Sequence, residues 1–186
     1  MNGQLHRWII AGATLSTNND YRVSITGGSV KKIAVFADVQ NIYYTTRQHY
    51  SRQFNYRKLW LKIASEGEII CAIAYATHRN DDQQIKFQDA LRHIGFTVKL
   101  KPYIQRSDGS AKGDWDVGIT IDALEAARDV DTIILLSGDG DFDLLLKKVR
   151  DDYAVKTEVY GVASLTARSL IDATDSYHPI EEELLM

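Results

Sequence analysis

Continuous apolar runs alternate with helical spacing of apolar residues from residue 31 onward. Thr132–Leu136 and Ile33–Ala37 are each five consecutive apolar or β-branched residues, the composition of strands buried on both faces. Between such runs apolar residues recur every three or four positions, which predicts helices. The predicted strands cover residues 33–37, 68–76, 96–104, 132–137 and 155–160. The predicted helices cover residues 41–50, 56–65, 82–94, 114–129, 142–150 and 165–171.

Strands that alternate with helices imply a parallel sheet with right-handed crossovers, so the predicted fold class is α/β with a doubly wound sheet. Residues 96–104 alternate between polar and apolar, which predicts an edge strand that is available to a partner or to a second copy in a homodimer. Residues 31–186 form the predicted domain, and residues 175–186 are its polar-to-apolar tail, expected to pack back on it. Residues 1–30 are either an added hairpin or a flexible leader.

One predicted helix has a clear apolar side by its spacing. In the helix over residues 114–129, Val117, Ile121, Leu124 and Ala127 fall together on one side, which predicts its apolar face.

Five aspartates stand where strands and helices meet. Asp38 follows the first strand, Asp139 and Asp141 follow the fourth, and Asp114 and Asp116 open a helix. Ligands of open α/β sheets bind at the carboxyl ends of the strands, so these acids face one crevice if the first and fourth strands are neighbours. Carboxylates within about 5 Å of one another repel unless they are neutralised. A hard cation such as Mg²⁺ or Mn²⁺, which prefers oxygen ligands, resolves this repulsion.

Helix capping is the alternative interpretation of the same acids. An aspartate at a helix start is a good N-cap, and Asp139 between two glycines suits an Asx-turn. Capping needs one acid per helix, however, and two helix starts here carry two acids each. Taken together, the five acids favour a metal site over capping alone.

The composition narrows the class of protein, but it says little about the reaction that the protein performs. The chain has 186 residues, 45% of them hydrophobic, which suits one folded domain. Its net charge of -3 provides no general basic field for a polyanion, which must then be held locally. Cys71 has no partner for an internal disulfide and lies in an apolar run, which favours a buried thiol in a reducing cytoplasm. No apolar run approaches the roughly 18 residues of a membrane span.

Three segments resemble motifs of the NYN family, LabA-like branch, of PIN-related nuclease domains. Phe36–Asn41 is similar to the first motif, Lys112–Gly113 with Asp116, Val117 and Asp122 to the central motif, and Ser137–Phe142 to the third. The resemblance runs from about Lys31 to Glu182. It implies a three-layer, PIN-like parallel sheet of five main strands in the order 3-2-1-4-5.

The resemblance also implies a metal-dependent ribonuclease site. By matched position, the implied metal ligands are Asp38, Asp116, Asp139 and Asp141. Asp114 and Asp116 compete for one role in the central motif, and Asp116 is chosen because Asp114 is the more natural N-cap. Asn41 is the implied positioning group for substrate or metal. The implied reaction is hydrolysis of RNA phosphodiester bonds with one or two bound Mg²⁺ or Mn²⁺ ions, without a protein nucleophile.

Aromatic and basic side chains near these motifs are candidates for contact with single-stranded RNA. Tyr43, Arg47 and Trp115 combine rings with a cation, which suits stacking on unpaired bases, although tyrosines at helical spacing and a lone tryptophan also serve packing. Lys112 is placed to reach a phosphate, or is a solvated loop lysine.

Two other functions fit parts of the sequence. One is an RNA-binding or regulatory module with a vestigial metal site. The other is a phosphatase resembling the haloacid-dehalogenase-like group, because Gly138–Asp141 resembles its late metal motif. That group has a second aspartate where this chain has Gln40.

Overall fold

The computed structural model describes residues 30–78, 81–102, 104–105, 111–112 and 114–186. Within these residues, eight strands and six α-helices alternate along the chain. The strands are β1 (Lys32–Asp38), β2 (Glu68–His78), β3 (Thr97–Pro102), β4 (Ile104–Gln105), β5 (Ala111–Lys112), β6 (Thr132–Leu136), β7 (Lys156–Gly161) and β8 (Ser176–Pro179). The helices are α1 (Val39–Tyr50), α2 (Tyr56–Ala64), α3 (Asp82–Ile94), α4 (Asp116–Ala126), α5 (Asp143–Tyr153) and α6 (Arg168–Ala173).

Six of the described strands form one parallel sheet in the order β3-β2-β1-β6-β7-β8. Counted within this sheet alone, the order is 3-2-1-4-5-6, so the expected PIN-like order 3-2-1-4-5 is confirmed and extended by one strand. The extra strand is β8, which comes from the C-terminal tail. The short strands β4 and β5 pair only with each other, in antiparallel orientation.

The central position of β1 in the sheet explains why its sequence is continuously apolar. Ile33, Val35 and Ala37 pack in the core on one face of the sheet, and Ala34 and Phe36 pack in the core on the other. The first core contains side chains of α1, α2 and α3, and the second contains side chains of α4, α5 and α6. The molecule is therefore a three-layer α/β structure in which β1 is buried on both sides.

The predicted edge strand is confirmed, because β3 ends the sheet. The predicted apolar face of α4 is wrong at its N-terminal end. Val117 and Ile121 are 69% and 52% exposed, whereas Ile119 and Ala123 are buried. The helix carries apolar residues on almost every side, so its periodicity did not select the face that packs.

One prediction concerns a segment that the structure does not describe. Residues 1–29, which hold almost all of the predicted leader or hairpin, lie outside the described residues.

None of the described helices combines enough length with enough apolar character to cross a bilayer.

Candidate metal centre

The strand register brings two separate segments of the chain together. β1 and β6 are parallel neighbours, and Ala37 pairs with Leu136 at their carboxyl ends. The next residues, Asp38 and Ser137, therefore lie side by side at the edge of the sheet. The chain leaves β1 into the helical layer of one face and leaves β6 into the layer of the other, which makes this edge the switch point where ligands bind in open α/β sheets.

Asp38 is held by hydrogen bonds from both segments. Its Oδ1 accepts from the backbone N–H of Asn41 at 3.1 Å, so Asp38 is the N-cap of α1. Its Oδ2 accepts from the Ser137 hydroxyl at 3.3 Å. The same hydroxyl accepts from the backbone N–H of Asp139 at 3.2 Å. The completely buried Ser137 therefore connects the first acid to the loop that carries the next two.

Asn41 fixes the start of that loop. Its Oδ1 accepts from the backbone N–H of Gly138 at 2.9 Å. A Cβ at Gly138 would lie 2.8 Å from the carbonyl oxygen of Leu165, so only glycine fits between β6 and the segment that precedes α6. The first turn of α1 and the 138–141 loop are thereby fastened together.

Three carboxylates meet next to this junction. Asp139 is the N-cap of a 3₁₀ turn over Gly140–Phe142, and its Oδ1 accepts from the backbone N–H of Asp141 at 3.0 Å. Asp116 lies in the first turn of α4. One carboxylate oxygen from each of Asp116, Asp139 and Asp141 lies within 4.8 Å of the other two. Capping therefore does not exclude clustering, because a carboxylate has two oxygens.

A tryptophan anchors the start of α4 beside the sheet. Trp115 Nε1 donates to the carbonyl oxygen of Ala76 in β2 at 2.9 Å. Lys101 of β3 donates to the carbonyl oxygen of Asp114 at 2.8 Å, and its ammonium lies 4.4 Å from the centroid of the Trp115 ring. Asp114 was the expected N-cap of this helix, but Trp115 occupies the cap position and makes no capping hydrogen bond with its side chain. Asp116 reaches the acid cluster from the helix itself.

The acids destabilise one another's charged forms. Burial raises the pKa of Asp38 from 3.8 to about 6, against the opposing effect of the Asn41 hydrogen bond, and the charges of Asp116 and Asp139 raise it further. Burial also raises the pKa of Asp116, followed by the charges of Asp139, Asp114 and Asp141. Asp38 thus belongs to the same electrostatic group, although the three mutually closest carboxylates are those of the other acids.

These residues border a cleft of about 320 Å³. It is lined by Asp38, Gln40, Asn41, Tyr44, Thr45, Thr77, Asp114, Trp115, Asp116 and Asp139. Oxygen-rich walls with several carboxylates match the preference of Mg²⁺ and Mn²⁺ for hard oxygen ligands. The donor set therefore fits such a cation.

The structure brings most of the candidate residues to one place. Asp38, Asn41, Asp116, Asp139 and Trp115 line the cleft, and Asp141 joins the cluster. Two other candidates, Tyr43 and Arg47, are exposed on α1 and do not line the cleft. The side chain of Lys112 lies outside the described residues.

Sequence reasoning gave no separate role to two residues of the site. Ser137 could have been found, because it follows the apolar run of β6 at the position that matches Asp38 after β1. Lys101 looked like an ordinary polar residue of an edge strand, and only the tertiary structure brings it to Trp115.

The NYN domain family model matches residues 32–181, which include all of the described acids at this site. The chain belongs to the NYN domain family. It is 31% identical over 156 residues to the low amplitude and bright protein LabA of Synechococcus elongatus, a match that covers 78% of this chain and 82% of LabA. This identity agrees with the LabA-like resemblance of the motifs.

One solved structure is similar to this chain over the whole length of the solved protein. It is the crystal structure of a protein of unknown function from Vibrio parahaemolyticus, with a TM-score of 0.82 and 50% sequence identity. The match covers 87% of this chain and 100% of that protein. Membership of the NYN family favours a PIN-like, nuclease-related interpretation of the Gly138–Asp141 motif over the phosphatase interpretation.

Proposed function

We propose that this NYN-family protein is a metal-dependent ribonuclease-like hydrolase that cleaves phosphodiester bonds of RNA at its aspartate cluster. The observation that carries the proposal is the convergence of Asp116, Asp139 and Asp141, whose carboxylate oxygens lie within 4.8 Å of one another. Burial, followed by the charges of the neighbouring acids, raises the pKa of Asp116, so its charged form is disfavoured unless a cation is present. A cation site that brings substrate phosphates near is the chemistry that this arrangement favours.

Asp116, Asp139 and Asp141 are the side chains that would hold a divalent cation, with Asp38 on the adjacent wall. A divalent cation bound by carboxylates supplies a Lewis acid for water and phosphate oxygens. The remaining residues maintain the geometry: Asn41 fixes the 138–141 loop through Gly138, and Ser137 connects Asp38 to Asp139.

Water is the proposed nucleophile. The described lining of the cleft contains carboxylates, amides, hydroxyls and an indole, but neither cysteine nor histidine. Covalent catalysis by a thiolate or an imidazole is therefore not part of the proposal. Burial, with a smaller effect of the neighbouring acids, raises the pKa of Asp38 to about 6, so this carboxyl can hold a proton near neutral pH.

The test is a cleavage assay with matched variants. The full chain is incubated with labelled single-stranded RNA and Mn²⁺, Mg²⁺ or a chelator. We expect cleavage with Mn²⁺ or Mg²⁺ that is lost with chelator and reduced at least about 100-fold in Asp38→Asn and Asp139→Asn. Asp151→Asn is the control, because Asp151 has a 66% exposed side chain and does not line the cleft.

Other outcomes assign a different function. Cleavage that persists in Asp139→Asn or in chelator contradicts the proposal. RNA binding that remains without cleavage under every metal condition identifies an RNA-binding or regulatory module. Turnover of a chromogenic phosphomonoester, with RNA left intact, identifies a phosphatase.

A further inference from the structure

Two neighbouring tyrosines of α1 are exposed beside the cleft. Tyr43 and Tyr44 are 46% and 51% exposed. Their rings meet edge to face, with centroids 5.4 Å apart. The guanidinium of Arg47, one turn along the helix, lies 5.7 Å from the centroid of the Tyr43 ring. We call Tyr43, Tyr44 and Arg47 the tyrosine ledge.

Packing does not account for this ledge. The residues that α1 buries are Val39, Ile42 and Thr46, whereas the rings of Tyr43 and Tyr44 remain about half exposed. Large aromatic side chains are usually well buried, and tyrosine is enriched where a protein surface meets a partner. Two half-exposed rings that contact each other and a cation therefore indicate a binding surface.

The ledge continues the wall of the acidic cleft. Asp38 is the N-cap of α1, and Asn41, Tyr44 and Thr45 of the same helix line the cleft. If one phosphodiester bond of a polymer lies at the acids, the rest of the polymer must leave the cleft along one of its walls. The α1 wall carries the tyrosine rings and, further from the acids, the guanidinium of Arg47.

Charge decides which part of a nucleic acid this wall can hold. Four of the residues that line the cleft are aspartates, and they repel phosphates when no cation is bound. The faces of nucleobases carry no net charge, so stacking on tyrosine is not opposed by the acids. Arg47 supplies a cation for a backbone phosphate outside the cleft. In a duplex the base faces are already stacked, so only a single strand can use the rings.

We propose that the tyrosine ledge stacks unpaired bases of the single-stranded nucleic acid whose phosphodiester bond reaches the aspartate cluster. This inference rests on the proposed function for its choice of ligand. It adds a source of affinity that needs no divalent cation and that distinguishes single strands from duplexes.

The experiment measures binding without catalysis. A short fluorescein-labelled oligouridylate is titrated with the full chain in chelator, and the Kd is read by fluorescence anisotropy. We expect the double variant Tyr43→Ala/Tyr44→Ala to weaken binding at least about tenfold, and Tyr44→Phe to bind like the parent because the ring is retained. Arg47→Ala should weaken binding and reduce its salt dependence, because one phosphate contact is lost. A duplex of the same length should bind more weakly and be unaffected by the double variant.

Control variants separate the ledge from general effects. Leu144→Ala on α5 removes another side chain that is 72% exposed and should leave the Kd unchanged. Thermal melts check that the variants remain folded, which is expected because the ledge rings are half-exposed. Sedimentation of the double variant tests the alternative that the ledge is a contact between two copies of the chain.

Each remaining outcome has a definite meaning. The inference is overturned if the parent does not bind the oligonucleotide in chelator, or if the double variant binds like the parent. It is also overturned if the double variant loses self-association but keeps its nucleic-acid affinity. Binding that depends on the ledge, without any cleavage in Mn²⁺, would refute the proposed hydrolase function and support base stacking on the ledge. Cleavage with a KM and a Kd that do not change in the ledge variants would refute base stacking alone.

Discussion

At the scale of single residues, Asp38 carries two structural roles that normally fall to separate side chains. One oxygen caps α1 and the other accepts the Ser137 hydroxyl, while burial raises its pKa to about 6. Capping stabilises the helix, but ionisation in the cleft is unfavourable because the carboxylate loses water and faces Asp116 and Asp139. Asp38 therefore stabilises the folded protein through its hydrogen bonds, and ionisation of its carboxyl destabilises the folded protein.

This conflict predicts a pH-dependent effect of Asp38→Asn. In the unfolded chain Asp38 ionises near pH 3.8, so the stability that comes from its protonated form is complete below that pH and is lost as the pH rises through about 6. Asparagine caps helices about as well and carries no charge. Above about pH 6, without divalent cations, the variant should be more stable than the parent by up to roughly 3 kcal/mol, and near pH 4 the difference should approach zero.

Urea unfolding in chelator at several pH values between about 4 and 7.5 measures this difference. A stability difference that does not change with pH would mean that Asp38 ionises in the folded protein as it does in water.

A second prediction concerns Ser137→Ala. The substitution leaves the backbone N–H of Asp139 without its acceptor and Oδ2 of Asp38 without its donor, which should cost about 1–3 kcal/mol of unfolding free energy. The control is Thr132→Val on β6, the strand that leads to Ser137. Among the described residues the buried hydroxyl of Thr132 has no hydrogen-bond partner, so its removal should be neutral or stabilising. Equal effects of both substitutions in urea unfolding would contradict a special role for the Ser137 hydroxyl.

At the scale of elements, the C-terminal tail packs against α1, which carries part of the site, and against α2. The Tyr50 hydroxyl at the end of α1 donates to the carbonyl oxygen of Ile180 at 2.6 Å. The backbone N–H of Asn55 donates to the carbonyl oxygen of Leu184 at 2.7 Å. Leu184 and Leu185 are buried in the core under α1 and α2. The sequence indicated a tail that packs back on the domain. The structure adds that part of this tail, β8, is the sixth strand of the sheet and pairs with β7.

This docking predicts that Leu185→Ala strongly destabilises the whole domain. Leu185 is 1% exposed, so the loss of its side chain should cost about 2–5 kcal/mol. Leu61→Ala on α2 is the matched control, because Leu61 is 65% exposed and its truncation should change stability by less than about 0.5 kcal/mol. Urea unfolding compares the two. Similar midpoints for both variants would show that the tail is not part of the cooperative core.

At the scale of the whole molecule, the fold gathers acids that are distant in the chain. Among the described elements, four α-helices and five strands separate Asp38 from Asp139 along the chain, yet β1 and β6 are neighbours in the sheet. The net charge of -3 gives no sign of this local concentration. The packing of the two cores must therefore offset the repulsion between these acids.

A cation that relieves this repulsion should stabilise the whole domain. At a Mn²⁺ concentration about 100 times its Kd, the expected gain is about 2.7 kcal/mol, or about 5–10 °C in Tm. Thermal unfolding with Mn²⁺ is compared with NaCl of equal ionic strength. Asp139→Asn should lose most of the gain and Asp151→Asn should keep it. If NaCl gives the same increase as Mn²⁺, the carboxylates are only screened and no specific site exists.

The sequence by itself determined the fold class and placed the acids of the candidate site at junctions between elements, while the strand order was implied by the resemblance to the NYN family. These features could be read because buried strands must be continuously apolar, as in Ile33–Ala37, and because parallel strands bring their carboxyl ends to one edge. Asp38, Asp116 and Asp139 could be found in this way, since each lies at a junction between elements.

The tertiary structure alone decided which surfaces pack and which side chains meet. Two features depend on how the layers pack against each other. They are the exposure of Val117 and Ile121 on α4 and the contact of Lys101 with Trp115. Periodicity along a chain reports how residues are spaced around one element. It does not report which neighbour that element meets, because the neighbour comes from a distant part of the sequence.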